Sequence, residues 1–197
     1  MDTTNNIIER AIAKAMELHS GQTRKGGGDI PYAAHALEVG IIVARYTHSP
    51  EMVAAAILHD VLEESDYTAE ELSEEFGEDV KNWVVLLTED ARIKDWGERK
   101  QENINRLRQD NDVYFIKSAD ALANMRSLVA ALYAEGSVVW SRFNAPKDMK
   151  MRQFAVILND TENFLPKKHL EEYVSILKDL EYSDLVQKST LGFSDKN

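Results

Sequence analysis

Apolar residues recur along much of this chain at intervals of three or four positions, the spacing that places side chains on one face of an α-helix. The first such face holds Ile8, Ile12 and Ala15, and it predicts an amphipathic helix that ends near residue 20. Similar patterns predict helices over residues 32–46 and 53–64. A basic, glycine-rich loop, GQTRKGGGDIPY, separates the first helix from the second.

Local signals mark where several of these helices begin and end. Ser49-Pro50-Glu51 supplies a cap, a first-turn proline and a first-turn acid for the helix that contains VAAAILHDVLEE. Thr68 and Glu71 predict a capping box before LSEEF, and we expect Gly77 to end that helix as a left-handed cap.

The second half of the chain continues the helical pattern. DVKNWVVLLTE predicts a short helix, although WVVLL alone would also fit a strand. A charged helix, WGERKQENINRLRQ, is followed by a long buried helix over residues 112–132 and by two more, over 147–159 and after Pro166. No hairpin signal, internal repeat or linker interrupts this order. The pattern therefore predicts an all-α fold, a single-domain helical bundle over residues 1–197.

Charge and composition narrow the possible classes of function. With 34 acidic and 23 basic residues the formal net charge is -11, which disfavours binding to nucleic acid or to a membrane surface. A small anionic ligand stays possible where cations gather locally. The chain has no cysteine, so any metal site must use His, Asp or Glu. Without a signal-peptide pattern or an apolar run near the ~20 residues of a membrane span, we expect a soluble, cytoplasmic protein.

Four ionisable residues lie within apolar helical runs, where an uncompensated charge is costly. They are His35 in AAHALEV, the pair His59-Asp60 in AAAILHDVLEES, and Asp120 in FIKSADALANMRSL. A His-Asp dipeptide by itself is more often a helix-end pair satisfied by local hydrogen bonds. A shared divalent metal would balance all four groups at once and leave coordination positions for water or substrate.

In content and order these motifs resemble the HD superfamily of metal-dependent phosphohydrolases, and within it the hydrolase domain of the Rel/SpoT alarmone enzymes and their small stand-alone relatives. The resemblance covers roughly residues 8–130, through HSGQTRKGGGDIPYAAHALEV, AAAILHDVLEES, TAEELSEEFGEDV and IKSADALANMRSL. We expect the C-terminal helices to pack on this region. The resemblance implies that His35, His59, Asp60 and Asp120 bind one divalent metal, which in the family is manganese.

The same resemblance implies further site residues. A Glu-Asp pair just after the HD dipeptide acts on water in the family, and those positions here are Glu63 and Glu64, so the second acid is one methylene longer. Arg24 and Lys25 match the substrate loop, although GGGD makes that loop longer than in many relatives. Asn124 matches a position near the nucleotide. Acids at a helix end and cations in a loop could equally be solvated surface groups.

The activity that the resemblance implies is hydrolysis of the 3′-pyrophosphate of ppGpp or pppGpp, giving GDP or GTP and pyrophosphate. Two alternatives stay open. One is an HD-type hydrolase of another nucleotide, such as a nucleoside monophosphate or the 2′-phosphate of NADPH, and the other is a non-catalytic nucleotide-binding module. The sequence leaves open the oligomeric state, with a homo-oligomer possible, and whether Lys147 and Lys150 meet phosphates or lie on a solvated helix face.

Overall fold

A computed structural model describes residues 6–24 and 29–191, with side chains described up to residue 181. Within those ranges the chain is all-α, as predicted, and the pairing of extended backbone is limited to an isolated antiparallel bridge between Thr23 and Pro31. The helices are α1 Ile7–Leu18, α2 Tyr32–Ala44, α3 Pro50–Ile57, α4 Val61–Glu64, α5 Ala69–Phe76, α6 Glu78–Leu87, α7 Trp96–Leu107, α8 Asn111–Glu135, a 3-10 helix Gly136–Arg142, α9 Lys147–Thr161 and α10 Lys167–Leu191. No described helix is both long and apolar enough to cross a bilayer.

Helix α8 forms the centre of the fold. Its 25 residues contact α2, α6, α7, α9, α10 and the 3-10 helix. Because neighbours surround it, apolar side chains such as Ile116, Leu122 and Met125 are fully buried on different sides of the helix. Asp120 lies in the middle of α8, so a well-packed element holds this carboxylate in place.

Helices α2 and α3 approach each other closely at Gly40. A Cβ atom at this position would lie 2.4 Å from Cγ1 of Ile57, so a larger residue would force the two helices apart. The close packing brings His35, on α2, beside His59, which follows α3, with 5.2 Å between their ring centroids.

The predicted continuous helix over residues 53–64 is wrong, because the chain turns at residues 58–60 and divides it into α3 and α4. The imidazole of His59 bonds through Nδ1 to the carbonyl oxygen of Ala56 at 2.9 Å. In a continuing helix that carbonyl would accept the backbone N–H of Asp60. The side chain thus takes the place of a helical hydrogen bond, and the helix stops where the two polar residues begin.

The remaining local predictions concern the helix caps and the run WVVLL. Ser49 caps α3, and Thr68 with Glu71 forms both halves of a capping box. Gly77 ends α5 at a positive φ of 90°, but its ψ of 168° is extended and not left-handed helical. The ambiguous run WVVLL is helical, since Val84 and Leu87 lie on the buried face of α6. Its period of three to four matches the neighbouring packing surface better than an alternating strand would.

Candidate active site

A cavity of about 920 Å³ lies between the N-terminal helices, α8 and α9. Residues from the loop before α2, the turn into α4, the segment between α6 and α7, and one face of α8 line it. The predicted site residues His35, Asp60, Glu63, Glu64, Arg24, Asn124 and Asp120 all belong to this lining. His59 lies directly behind it. Lys25 lies outside the described residues, so its place relative to the cavity is not assigned.

The two histidines and Asp120 form a buried cluster at the base of the cavity. Ligand-type atoms of His35, His59 and Asp120 lie within 4.8 Å of one another. Nε2 of His35 is 3.2 Å from Oδ1 of Asp120, and Nε2 of His59 is 3.8 Å from the same oxygen. Asp60 lies beside the cluster, with Oδ2 3.0 Å from Nε2 of His59.

The hydrogen bonding of His59 shows what this cluster needs. Since Nδ1 faces a carbonyl oxygen, it carries the hydrogen, and a neutral ring then has its lone pair on Nε2. That nitrogen is buried without a well-formed hydrogen bond and faces two carboxylates. A neutral His59 therefore places its lone pair beside two carboxylates, an arrangement that suits a cation and has the donor types of a divalent metal site.

The electrostatics of the cluster agree with this arrangement. Burial lowers the pKa of His35, while in His59 the carboxylates of Asp60 and Asp120 overcome burial and raise the pKa to about 9. The pKa of the Asp60 carboxyl is held below its usual range, mainly by His59 against the effect of burial. The carboxylates therefore favour a positive charge at Nε2 of His59, which a proton or a metal ion can supply.

A second layer of side chains fixes the carboxylates, and two of them, Tyr32 and Lys117, are not among the residues predicted from the sequence. The hydroxyl of Tyr32 donates to Oδ2 of Asp60 at 2.5 Å. The ammonium of Lys117 donates to Oδ2 of Asp120 at 3.0 Å, and Asn124 donates to the other oxygen. Such outer partners orient metal ligands. Helical spacing could have indicated them, because Tyr32 precedes His35 by three residues and Lys117 precedes Asp120 by three.

The two glutamates of α4 differ in their surroundings. Glu63 is open to the cavity, and its Oε1 accepts the backbone N–H of Glu89 at 2.7 Å. The protein around it and the nearby Asp60 raise the pKa of Glu63 to about 7. Glu64 also lines the cavity, but its backbone carbonyl oxygen is fixed instead, accepting from Nε2 of Gln22 at 2.7 Å. Glu63 is therefore the acid that can exchange a proton near neutral pH.

Arg24 reaches into the cavity from the loop before α2. Its Nη2 donates to Oδ1 of Asn124 at 2.8 Å, and its guanidinium lies 5.8 Å from the centroid of the Tyr32 ring. Asn124 in turn bonds to Asp120. Two of the three residues predicted to bind substrate, Arg24 and Asn124, thus meet in space, one bond away from the buried cluster.

The opposite side of the cavity is rich in cations, which come from the charged helix α7 and from α9. Glu89 pairs with Arg99 at 3.0 Å and also with Lys100. Lys150, from α9, lies 4.4 Å from the centroid of Phe143 and 5.9 Å from that of Trp96. Burial and the nearby Lys100 lower the pKa of Lys150 to about 8. Lys150 lines the cavity, which leaves it available for an anion.

The remaining histidines, which we interpret as structural or surface residues, occupy three settings. His48 is exposed. His19 and His169 are buried, the first against Tyr32 and the second on the far side of α8, where it bonds to Ser118. None of the three belongs to the cluster of potential metal ligands found among the described residues.

The fold and this cluster together define an all-α domain in which two histidines and an aspartate gather at the base of a cavity. A comparison with known families agrees, since the HD domain model matches residues 11–149. The chain belongs to the HD domain family.

The chain is also similar to individual curated proteins. The chain is 32% identical over 191 residues to the guanosine-3′,5′-bis(diphosphate) 3′-pyrophosphohydrolase of Aquifex aeolicus, covering 85% of this chain and 27% of that protein. It is 37% identical over 127 residues to a probable GTP pyrophosphokinase of Mycobacterium leprae, covering 62% of this chain and 16% of that one. The chain thus spans about a quarter or less of the length of these relatives.

Two solved structures match over nearly their whole length. One, described as a metazoan ortholog of SpoT that hydrolyses ppGpp, has a TM-score of 0.73 at 22% identity, covering 90% of this chain and 97% of the other. The protein lmo0812 of Listeria monocytogenes has a TM-score of 0.66 at 31% identity, covering 73% of this chain and 96% of the other. The first likeness supports the fold alone.

Proposed function

We propose that this chain hydrolyses the 3′-pyrophosphate of guanosine polyphosphate alarmones, converting ppGpp or pppGpp and water into GDP or GTP and pyrophosphate. The observation that carries this proposal is the buried cluster of His35, His59 and Asp120 at the base of a cavity that also holds Glu63 and Arg24. The names of the relatives support the choice of substrate, since the Aquifex protein is a 3′-pyrophosphohydrolase of this alarmone.

His35, His59, Asp60 and Asp120 are the proposed ligands of one divalent ion, which we propose to be Mn²⁺. The donor set fits, because two neutral imidazoles and two carboxylates balance a dication. When bound, such an ion supplies Lewis-acid chemistry by polarising a phosphate oxygen and making water a stronger acid. Tyr32 and Lys117 hold the two carboxylates in orientation from outside.

The residues of the chain then have separate tasks. Glu63, with its pKa raised to about 7, accepts a proton from the water that attacks the 3′-linked phosphorus. Glu64, on the same turn, is the second acid proposed to orient that water. Arg24, with Asn124 and the loop residue Lys25, binds the phosphates of the arm that is cleaved. As the bond between this phosphorus and the 3′ oxygen breaks, the 3′ oxygen takes up a proton to become the hydroxyl of GDP or GTP, and the phosphorus leaves as pyrophosphate.

The size of the cavity and its charges favour a substrate with two separated anionic arms. About 920 Å³ is within the range of small-molecule sites and exceeds what a single pyrophosphate requires. Arg24 lies beside the buried cluster, whereas Lys150 lies near Trp96 and Phe143 on the opposite side. Lys150 therefore suits the 5′-diphosphate of the same nucleotide.

The test is a product assay with purified protein, Mn²⁺ and ppGpp. We expect equal amounts of GDP and pyrophosphate, no orthophosphate, and loss of the reaction when Mn²⁺ is removed by a chelator. The same assay with GMP and NADPH tests the alternative phosphohydrolases. Orthophosphate release from either, with ppGpp left intact, would contradict the proposal. Binding of ppGpp without turnover in the presence of Mn²⁺ would instead indicate a binding module.

A further inference from the structure

The short turn that carries the two glutamates is held at one end by Tyr32, the first residue of α2, and at the other by Gln22 in the loop before α2. At its start, the hydroxyl of Tyr32 donates to the carboxylate of Asp60. At its end, Nε2 of Gln22 donates to the backbone carbonyl oxygen of Glu64 at 2.7 Å. Glu63 lies between these two contacts. A helix of four residues has almost no stability of its own, so contacts from outside decide where its side chains lie.

The amide of Gln22 is itself fixed in one orientation. Because its nitrogen donates to Glu64, its oxygen is the acceptor for Nδ1 of His19 at 2.8 Å. His19 is only 2% exposed and packs on the ring of Tyr32, with 4.8 Å between ring centroids. The backbone carbonyl of Gln22 also accepts the N–H of Tyr32 at 2.9 Å. The amide therefore uses its nitrogen to join the loop to α4 and its oxygen to hold His19 at the end of α1.

We propose that Gln22 is a positioning residue, which sets the place of the Glu63 carboxylate relative to the cluster of His35, His59 and Asp120. Gln22 touches neither the cluster nor the carboxylate of Glu63, and it acts by holding the backbone of α4. This inference rests on the proposed function for its kinetic consequence. Its structural consequence, a restrained α4, is independent of the substrate.

The kinetic test compares Gln22→Met with Gln101→Met, using ppGpp and Mn²⁺. Methionine keeps the length of the side chain but neither donates to Glu64 nor accepts well from His19. Gln101 is a matched control, because it is exposed on α7 and makes one side-chain bond, to Asn105 at 3.0 Å. We expect Gln22→Met to lower kcat about 10-fold, with KM and Mn²⁺ affinity within about twofold of wild type. Gln101→Met should change none of these quantities.

A second measurement follows hydrogen–deuterium exchange in the Mn²⁺-loaded proteins. In Gln22→Met, backbone amides of residues 61–65 should exchange about 10-fold faster, while those of α2 and α8 stay as in wild type. If wild type does not cleave ppGpp, the proposed function fails but this measurement still decides the role of Gln22. Gln22→Glu gives an independent variant, since it keeps the acceptor for His19 and loses the donor to Glu64.

Two results would overturn the inference. One is that Gln22→Met has the same kcat, and the same exchange rate at residues 61–65, as Gln101→Met. The other is faster exchange throughout α1, α2 and α8 together with weaker Mn²⁺ binding, in both Gln22→Met and Gln22→Glu. That pattern would make Gln22 a residue of general stability.

Discussion

The two sides of α8 each bury a histidine, but the surroundings of the two rings are opposite. Towards the cavity, His59 faces Asp60 and Asp120, and its pKa is raised to about 9. Towards α10, His169 is fully buried among Tyr46, Phe115 and Tyr173 and meets the neutral hydroxyl of Ser118 at 2.9 Å. Burial lowers the pKa of His169 to about 4.

This difference separates a binding site from a structural contact. A buried histidine beside a hydroxyl stays neutral and contributes packing and a hydrogen bond. A buried histidine beside two carboxylates gathers negative charge that a proton satisfies only in part, so the position suits a metal ion. Burial alone does not distinguish the two rings, whereas the charge of their neighbours does.

The largest expected effect comes from removing the carboxylate of Asp120 on the cavity side of α8. Removing the hydroxyl of Ser118 on the opposite side is the matching change. Asp120→Ala should weaken Mn²⁺ binding by more than about 100-fold and abolish turnover, because it removes a proposed ligand. Ser118→Ala, two residues away, should keep both and cost about 1 kcal/mol of unfolding free energy. Calorimetric Mn²⁺ titration and chemical denaturation measure the two effects. Full Mn²⁺ binding by Asp120→Ala would refute the metal site.

The next effect concerns proton transfer at the edge of the cluster. Glu63→Gln keeps the shape of the side chain and its acceptor for the backbone N–H of Glu89, but removes the basic group. Turnover of ppGpp should fall about 100-fold while Mn²⁺ affinity changes little. Glu74→Gln, on the exposed face of α5, is the control and should behave as wild type. Steady-state kinetics at saturating Mn²⁺ measure the difference, and undiminished turnover would exclude Glu63 as the base.

A smaller effect on activity is expected for Arg24, whose guanidinium extends into the cavity. Arg24→Ala removes a charge-assisted phosphate contact worth about 1.5 to 3 kcal/mol, so kcat/KM for ppGpp should fall about 10-fold or more. The metal content should not change. Arg45→Ala removes an arginine from the exposed end of α2, where it pairs with Glu172, and serves as the control. Equal kcat/KM in the two variants would place Arg24 outside the substrate contacts.

The smallest effect on activity is expected at His169, whose role is in stability. A His169→Gln variant should keep turnover within about twofold, because the residue lies outside the cavity lining. In wild type, the unfolded state binds a proton below about pH 6.5 whereas folded His169 does not until about pH 4. The stability that neutral His169 provides is therefore present above pH 6.5 and is lost as the pH falls towards 4.

This linkage gives a direct measurement. Between pH 7 and pH 5 wild type should lose about 2 kcal/mol of unfolding free energy that His169→Gln does not lose, since one pKa unit corresponds to about 1.4 kcal/mol. Denaturant titrations of both proteins at the two pH values isolate this difference from the titration of other groups. A constant difference between the proteins would mean that His169 titrates normally.

Much of the site could be read from local sequence because its chemistry is concentrated in short motifs. The family model matches most of the same region, and the predicted all-α fold is confirmed. His35, His59 and Asp120 stand out as ionisable residues within apolar runs, and the structure brings their side chains together. Their assignment as metal ligands stays a prediction, as do the roles of Glu63, Glu64, Arg24, Lys25 and Asn124.

Where local pattern failed, side-chain contacts that periodicity does not show explain the difference. The pattern of residues 53–64 is helical throughout, but the hydrogen bond from His59 to Ala56 ends α3 early. The segment containing Arg99 and Lys100 has the composition of a solvated helix, yet both side chains line the cavity, where they pair with Glu89. Propensity describes the isolated segment and cannot show which face a neighbouring helix covers.

The sequence by itself determined the helical class and the residue types available for metal chemistry, because both depend on periodicity and on which side chains interrupt an apolar run. Only the tertiary structure decided which polar groups meet. The bonds of Tyr32 to Asp60, Gln22 to Glu64 and Arg24 to Asn124 span 28, 42 and 100 residues of chain. Contacts at such separations depend on how helices pack, and packing is set by the whole core rather than by any local motif.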